Sequence, residues 1–131
     1  MIDYEVQVFN RVHSAIASLC AKNKFVSKQI VSPTAFPAAS LIEMDNTTVR
    51  ARQSSTPGEN FALITYQLDV YAQKKSDCRN VFAAADAAMI AMNFSRMSGR
   101  YIDNPGNPDV FRYTARYEAE IDPDGNIYRR P

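Results

Sequence analysis

The sequence is poor in residues that bind soft metals or form cross-links: its 131 residues include two cysteines, one histidine and no tryptophan. Two cysteines, Cys20 and Cys78, are too few for the disulfide framework of a small secreted domain. A structural zinc site needs four N or S ligands in closely spaced pairs, and neither Cys-x-x-Cys nor His-x-x-x-His occurs. We therefore expect no metal site, and we expect both cysteines to be buried thiols in helices.

Glycine is also scarce, with four residues in the chain. Phosphate-binding loops and dinucleotide fingerprints need glycines at fixed spacings, and neither pattern occurs. The nucleophile elbow and the metalloprotease helix are missing as well. The sequence thus indicates no cofactor site and no catalytic residue.

The charges nearly cancel, since 15 Lys and Arg face 14 Asp and Glu for a net charge of +1. This balance argues against a non-specific nucleic-acid binder. The N-terminus is acidic from Asp3 onwards and has no basic region before an apolar run, so we expect no signal peptide. The longest apolar stretch, Val81 to Met92, contains Asp86 and falls short of the roughly 20 residues of a membrane span. We expect no contact with a membrane.

The remaining composition is that of an ordinary folded domain, with 46% hydrophobic and 22% charged residues. A domain typically takes roughly 100 to 200 residues, so we expect residues 1–131 to form one domain.

Two segments have helical periodicity. The first runs from Tyr4 to Ala21, with Asp3 as its expected N-cap and its end near Asn23. Its apolar positions, spaced by three or four residues, are Phe9, Val12, Ile16 and Leu19. His13 lies at the edge of this stripe, which favours a structural role.

The second helix is expected from Ser76, as its N-cap, to about Met92. Its apolar face consists of Val81, Phe82, Ala85, Met89 and Met92.

Alternating apolar and polar residues predict strands between and after the helices. They span Phe25–Val31, Ala39–Asp45, Thr47–Ser54, Phe61–Gln73, Phe94–Ile102, Val110–Ile121 and Asn126–Arg129. A turn is expected at Asp45–Asn46. The strand Phe61–Gln73 is unusually long, which indicates either the centre of a sheet or a strand that extends into a partner. This order predicts an α+β, two-layer domain with a mostly antiparallel sheet packed by two helices.

Two groups of residues are candidates for a site. Glu118, Glu120 and Asp122 share one strand face with Arg112 and Arg116. Such carboxylates could bind a divalent ion, but with arginines on the same face we expect cross-strand or same-face ion pairs on a solvated surface.

The second group is a predicted protein interface in two polar loops, residues 53–60 and 103–109, with the two arginines that flank the first loop. Arginine is enriched at interfaces and binds carboxylates in bidentate fashion. The interface residues are Arg50, Arg52, Gln53, Ser54, Ser55, Glu59, Asn60, Asn104 and Asn107.

Several segments, which together extend along nearly the whole chain, carry a resemblance to a known family. They are an N-terminal helix with Asp3-Tyr4-Glu5 and Val12-His13, a proline-rich link ending in Phe36-Pro37-Ala38-Ala39, the long strand Phe61–Gln73, Lys75-Ser76-Asp77 opening an alanine-rich helix, and the final strand Arg112-Tyr113-Thr114-Ala115-Arg116-Tyr117-Glu118. In the order, length and residue types of these segments, the chain resembles the small tail terminator, or tail-completion (tail-to-head joining), proteins of long-tailed bacteriophages.

The resemblance implies a structural protein without enzymatic activity. Proteins of that kind form a hexameric ring on the tail tube, stop its polymerisation and dock it to the head. The implied partners are further copies of the chain, the tube protein and a head-completion or connector protein, with DNA only passing through the ring. The implied location is the head-proximal end of the virion tail, assembled in the host cytoplasm.

Strand addition is one way to build such a ring, through the long strand Phe61–Gln73 or through an edge strand. Two alternatives remain open. One is a head–tail connector, adaptor or minor capsid protein of the same virion. The other is a small α+β enzyme that uses His13 and the carboxylates from Glu118 to Asp124.

Overall fold

The structure is a computed structural model that describes residues 1–30, 33–49, 61–103 and 108–129. Its helices are α1 (Glu5–Ile16) and α2 (Lys75–Ala91). Its strands are β1 (Phe25–Val26), β2 (Ala38–Thr48), β3 (Ala62–Ala72), β4 (Ser95–Ile102), β5 (Phe111–Ile121) and β6 (Ile127–Tyr128). They form one sheet in the order β1-β2-β3-β5-β4, with β6 paired to β5. Only the short β1–β2 pair is parallel among the described strands. The predicted α+β fold with two helices on a mostly antiparallel sheet is confirmed.

β3 lies at the centre of this sheet and organises the core. It pairs along its length with β2 on one side and β5 on the other. Its even-numbered residues from Ala62 to Ala72 are buried against both helices, as the alternation predicts. Because both edges of β3 are occupied, the alternative that it pairs with a partner molecule is wrong.

The predicted turn at Asp45–Asn46 is also wrong, because β2 continues through it to Thr48. The register between β2 and β3 shifts between Glu43 and Asp45, which leaves Met44 as a bulge. Pairing with β3 overrides the local turn preference of Asp-Asn. The predicted separate strand Thr47–Ser54 therefore begins inside β2, and its part from residue 50 onwards lies outside the described residues.

α1 ends at Ile16 and not near Asn23. After Ile16 the chain turns, since the N–H groups of Leu19 and Cys20 both donate to its carbonyl oxygen. Asn23 then has a φ of 60°, the left-handed region that asparagine tolerates. As a result Leu19 leaves the buried face and is 42% exposed, and Cys20 lies outside any helix.

The predicted caps differ from those observed. Asp3 Oδ1 accepts the Glu5 N–H at 3.3 Å, but the N-cap position of α1 is Tyr4. α2 begins at Lys75, so Ser76 lies inside the helix and is not its cap. Its predicted apolar face is buried, Met92 included.

The other predicted strands agree with the structure except at the N-terminal one. β4, β5 and β6 lie within the predicted ranges Phe94–Ile102, Val110–Ile121 and Asn126–Arg129. The predicted strand Phe25–Val31 shrinks to the two residues of β1. Within the described ranges, neither helix is long and apolar enough to cross a bilayer.

Candidate protein interface

The residues predicted as an interface all lie outside the described part of the chain. They are Arg50, Arg52, Gln53, Ser54, Ser55, Glu59, Asn60, Asn104 and Asn107. The structure describes their flanks. Val49 donates its backbone N–H to the Phe61 carbonyl at 2.9 Å, where β2 ends and β3 begins. Asp103 and Pro108 flank the second segment, between β4 and β5.

The strand register shows at which end of the sheet each of the two segments is joined. Thr48, Ala62 and Ile121 stand opposite one another at one end of the sheet. Ala38, Tyr71, Arg112 and Ile102 stand opposite one another at the other end. The two predicted loops are therefore joined to opposite ends of the strands.

The sheet face that carries the odd-numbered residues of β3 has no helix packed on it among the described elements, since the buried residues of α1 and α2 join the cluster on the even side. We call it the open face. At one end it is covered by a small apolar cluster in which Tyr71 packs with Ala38, Val110, Ile30 and Phe36. Most residues along the rest of the face are polar, and Ile42 and Leu63 are apolar exceptions.

Asp69 is the centre of this polar surface and is only 4% exposed. Arg112 donates from Nη2 and Nε to Asp69 Oδ1 at 3.1 and 3.2 Å. Gln67 Nε2 donates to Asp69 Oδ2 at 3.0 Å. A buried carboxylate needs such partners, because burial without them costs several kcal/mol. The Arg112 guanidinium also lies 5.5 Å from the centre of the Tyr71 ring, a cation–π distance.

Arg116 extends the network, since its Nε donates to Gln67 Oε1 at 3.3 Å. Arg100 stands on the same face, opposite Thr114 in the register. The three arginines border a shallow concavity of about 540 Å³. Guanidinium groups in this arrangement can bind carboxylates or phosphates of a partner.

The cross-strand ion pair predicted on this face is present, but with another partner. Arg112 pairs with Asp69 of β3 and not with the carboxylates of β5, and Asp69 is buried and not solvated. Sequence reasoning missed Asp69 because its distance to Arg112 depends on the β3–β5 register. Pairing β3 with β5 in the sequence analysis would have indicated this contact, because Asp69 and Arg112 are diagonal neighbours in that pair.

Asp122, which belonged to the predicted acidic cluster, organises the turn after β5. Its carboxylate accepts hydrogen bonds from Asn126, from the Tyr128 hydroxyl and from the Asp124 N–H. These bonds, first that from the Asn126 side chain, lower the pKa of Asp122. Among the described residues, no three His, Cys, Asp or Glu side chains are grouped closely enough to hold a metal ion.

His13 lies on the exposed side of α1, in an aromatic stack. Its ring centre is 6.0 Å from those of Phe9 and Phe25, which are 4.6 Å apart. Within the described ranges the His13 side chain makes no hydrogen bond or ion pair, and no described contact brings a carboxylate of the β5 cluster to it. The described geometry thus gives His13 a packing role.

Of the two cysteines, Cys78 is buried in the core and Cys20 is half-buried, and both are free thiols. Burial raises the pKa of each thiol to about 11. The prediction of buried thiols is confirmed for Cys78 and only in part for Cys20.

The two outer sides of the sheet are formed by β4 and, beyond the short β1, by β2. β4 pairs only with β5, and its residues from Arg96 to Tyr101 are exposed. The register shifts between Arg96 and Ser98, so Met97 forms a bulge and is 55% exposed. On the opposite side, β1 covers only Ala39 and Ser40 of β2.

The β2 edge beyond Ser40 is acidic. Its bulge residue Met44 is 48% exposed and lies between Glu43 and Asp45. Burial raises the pKa of Glu43, and the charges of Glu5 and Asp3 raise it further, against a hydrogen bond from Tyr66 that lowers it. Both charged residues of β2, Glu43 and Asp45, are acidic.

Comparisons with known proteins show a likeness in fold to solved structures. No protein-family model and no curated protein matches the chain. Among solved structures, it is similar to a chain of a structure described as "Virion of native gene transfer agent (GTA) particle". The TM-score is 0.65 at 13% sequence identity, and the match covers 88% of this chain and 91% of the other. At this identity the likeness shows that the two chains share a fold.

Proposed function

We propose that this chain is a structural protein of a phage-like virion that caps the tail tube, ends its polymerisation and forms the interface that docks the tail to the head. The observation that carries the proposal is the likeness to a chain of a gene transfer agent virion, which extends over nearly all of both chains. The sequence resemblance to tail terminator proteins supports the finer role. In this role the protein acts by binding other virion proteins and not as an enzyme.

A ring on the end of a tube needs lateral contacts and two axial faces. The two outer sides of the sheet, formed by β2 and β4, suit the lateral contacts between copies of this chain, for which we propose a hexamer. The predicted interface residues suit the axial faces, because segments 50–60 and 104–107 are joined to opposite ends of the strands. One segment would contact the tube protein and the other the connector, with DNA passing through the lumen.

The test is to remove the gene and examine the particles by electron microscopy. We expect tails of uncontrolled length, separate from filled heads, and restored joining when purified protein is added. Gold-labelled antibody against the chain should mark the head-proximal end of intact tails. Free tails of normal length, with the label on heads, would instead favour a connector or minor capsid protein and contradict tail capping.

The predicted interface can be tested in the same assay. Arg50→Glu and Arg52→Glu should block joining without lowering the melting temperature, and Arg79→Glu, at an exposed position of α2, serves as the charge-matched control. Normal joining by both variants would contradict the role of these two arginines.

A further inference from the structure

The two outer strands of the sheet, β2 and β4, carry charged residues at the same level along the strand direction. Glu43 of β2 stands opposite Tyr66 of β3, and Tyr66 stands opposite Tyr117 of β5. Tyr117 in turn stands opposite Arg96 of β4. Glu43 and Arg96 therefore occupy one row across the four strands, at its two ends. Tyr66 and Tyr117 are buried in the helix-side core, so this row lies on the helix side of the sheet.

A bulge with an exposed methionine follows each of these charged residues. Met44 comes directly after Glu43, and Met97 comes directly after Arg96. In the register the two methionines differ by about one strand step, roughly 3.4 Å. Exposed, flexible methionines are suited to a contact that must adapt to its partner, and methionine is enriched at interfaces.

The charges of the two edges are opposite. The charged residues of β2 are Glu43 and Asp45, and those of β4 are Arg96 and Arg100. Arg96 is 44% exposed in its side chain and pairs with Asp86 at 3.2 Å, which leaves guanidinium donors available. The described charges that act on Glu43 are those of Glu5 and Asp3, and both are negative.

We propose that a second copy of this chain docks its β2 edge against the β4 edge of the first, so that Arg96 faces Glu43 and Met97 lies beside Met44. The inference rests on the proposed ring and names its lateral contact. Such a contact is heterologous, and repeated head-to-tail contacts close into a ring when the rotation between copies allows it.

Strand direction agrees with this docking. β2, β3, β5 and β4 are antiparallel in turn, so β2 and β4 run in opposite directions. A second copy displaced sideways therefore presents β2 antiparallel to β4, which continues the pattern of the sheet along the part of β2 beyond Ala39 and Ser40, the two residues that β1 covers. Pairing β4 with another β4 would instead bring arginines together, and like charges directly opposite are unfavourable.

Disulfide trapping tests the contact. Met44→Cys protein is mixed with Met97→Cys protein and oxidised, which accumulates even a transient encounter as a covalent dimer. We expect a dimer from the mixture and little from either variant alone. A single chain with both substitutions should give a ladder of products that ends at the ring size.

The controls separate this contact from chance collision. Val6→Cys, on the exposed side of α1, replaces Met44→Cys in a matched mixture and should give only background. The unmodified chain measures the contribution of Cys20 and Cys78. The proposal is overturned if the mixture of Met44→Cys and Met97→Cys proteins gives no more dimer than the mixture that contains Val6→Cys. It is also overturned if Met97→Cys protein alone gives as much dimer as the mixture.

Charge reversal gives a second test that needs no cysteine. Arg96→Glu and Glu43→Arg should each raise the dissociation constant for self-association by about tenfold or more. Mixing the two variants should restore assembly, because each mixed contact again joins opposite charges. Thermal melting of each variant alone checks folding, and folded variants that the mixture fails to restore also overturn the proposal.

The outcomes distinguish this contact from the proposed function. One outcome is a ladder of disulfide-linked products from the chain with Met44→Cys and Met97→Cys, together with an antibody label that is absent from the tail end. This outcome would support the contact and contradict tail capping. Labelled tail ends without the trapped dimer would support tail capping and contradict the contact.

Discussion

Arg112 donates two hydrogen bonds to a single carboxylate oxygen of Asp69, across the β3–β5 pair on the open face of the sheet. The Arg112 side chain is 31% exposed and that of Asp69 is 6% exposed. The pair therefore joins a buried acid to a base that reaches the surface. Removing the acid or the base should have different consequences.

We predict that Asp69→Ala lowers the free energy of unfolding by about 2 kcal/mol, because Arg112 and Gln67 both lose their acceptor. Urea unfolding at neutral pH measures the change. Asp103→Ala, at an exposed position next to β4, is the matched control and should change stability by no more than about 0.5 kcal/mol. Equal stability of the two variants would show that the network contributes little.

Gly125 provides a prediction about the turn after β5. Its φ is +87°, and a Cβ built at this position would overlap the ring of Tyr4. We predict that Gly125→Ala costs about 2 kcal/mol through backbone strain and the collision. In a Tyr4→Ala background the collision is gone, and the same substitution should cost about 1 kcal/mol. Identical costs in both backgrounds, measured by urea unfolding, would exclude the contact with Tyr4.

Glu43 should make stability depend on pH in a particular direction. Its pKa is raised in the folded state, so folding favours the protonated acid and the folded chain loses stability as pH rises from the normal glutamate pKa to the raised one. Glu43→Gln keeps an acceptor for the Tyr66 hydroxyl and removes the charge. We predict that it is more stable than the original chain at pH 7, with a difference that vanishes below the unfolded-state pKa of 4.5.

Urea unfolding from pH 3 to pH 8 measures this difference. Asp45→Asn, at an exposed position on the same strand, is the control for a general loss of negative charge. A Glu43→Gln variant that is less stable at pH 7 than at pH 4, relative to the original chain, would contradict the prediction.

The two thiols should react at different rates. Both have a pKa raised to about 11, so little thiolate is present at pH 8. Cys78 is 0% exposed, whereas Cys20 is half-buried beside His13 in a small cavity of about 160 Å³. We predict that iodoacetamide modifies Cys20 slowly and Cys78 only after unfolding, as mass spectrometry of the digested protein can show. Cys78 reacting first in folded protein would contradict its placement in the core.

Residue patterns alone predicted most of the helices and strands. The alternation in β3 and β5 and the periodicity of α1 and α2 are local properties, because a side chain's direction follows from the geometry of its own strand or helix. The order of these elements also indicated the α+β fold. Boundaries were less predictable, since the end of α1 depends on contacts of the next segment, such as the Ala21 N–H donated to Pro37.

Tertiary structure decided which distant residues meet. It carried β2 through Asp45–Asn46, joined Asp69 to Arg112, and set Glu43 and Arg96 in one row at opposite sides of the sheet. The predicted interface arginines, Arg50 and Arg52, lie outside the described residues, and their role stays a prediction. The sequence by itself determined which faces are apolar and where charge occurs along each strand. Only strand register, which depends on pairing between segments far apart in the chain, determined how those charges are placed against each other.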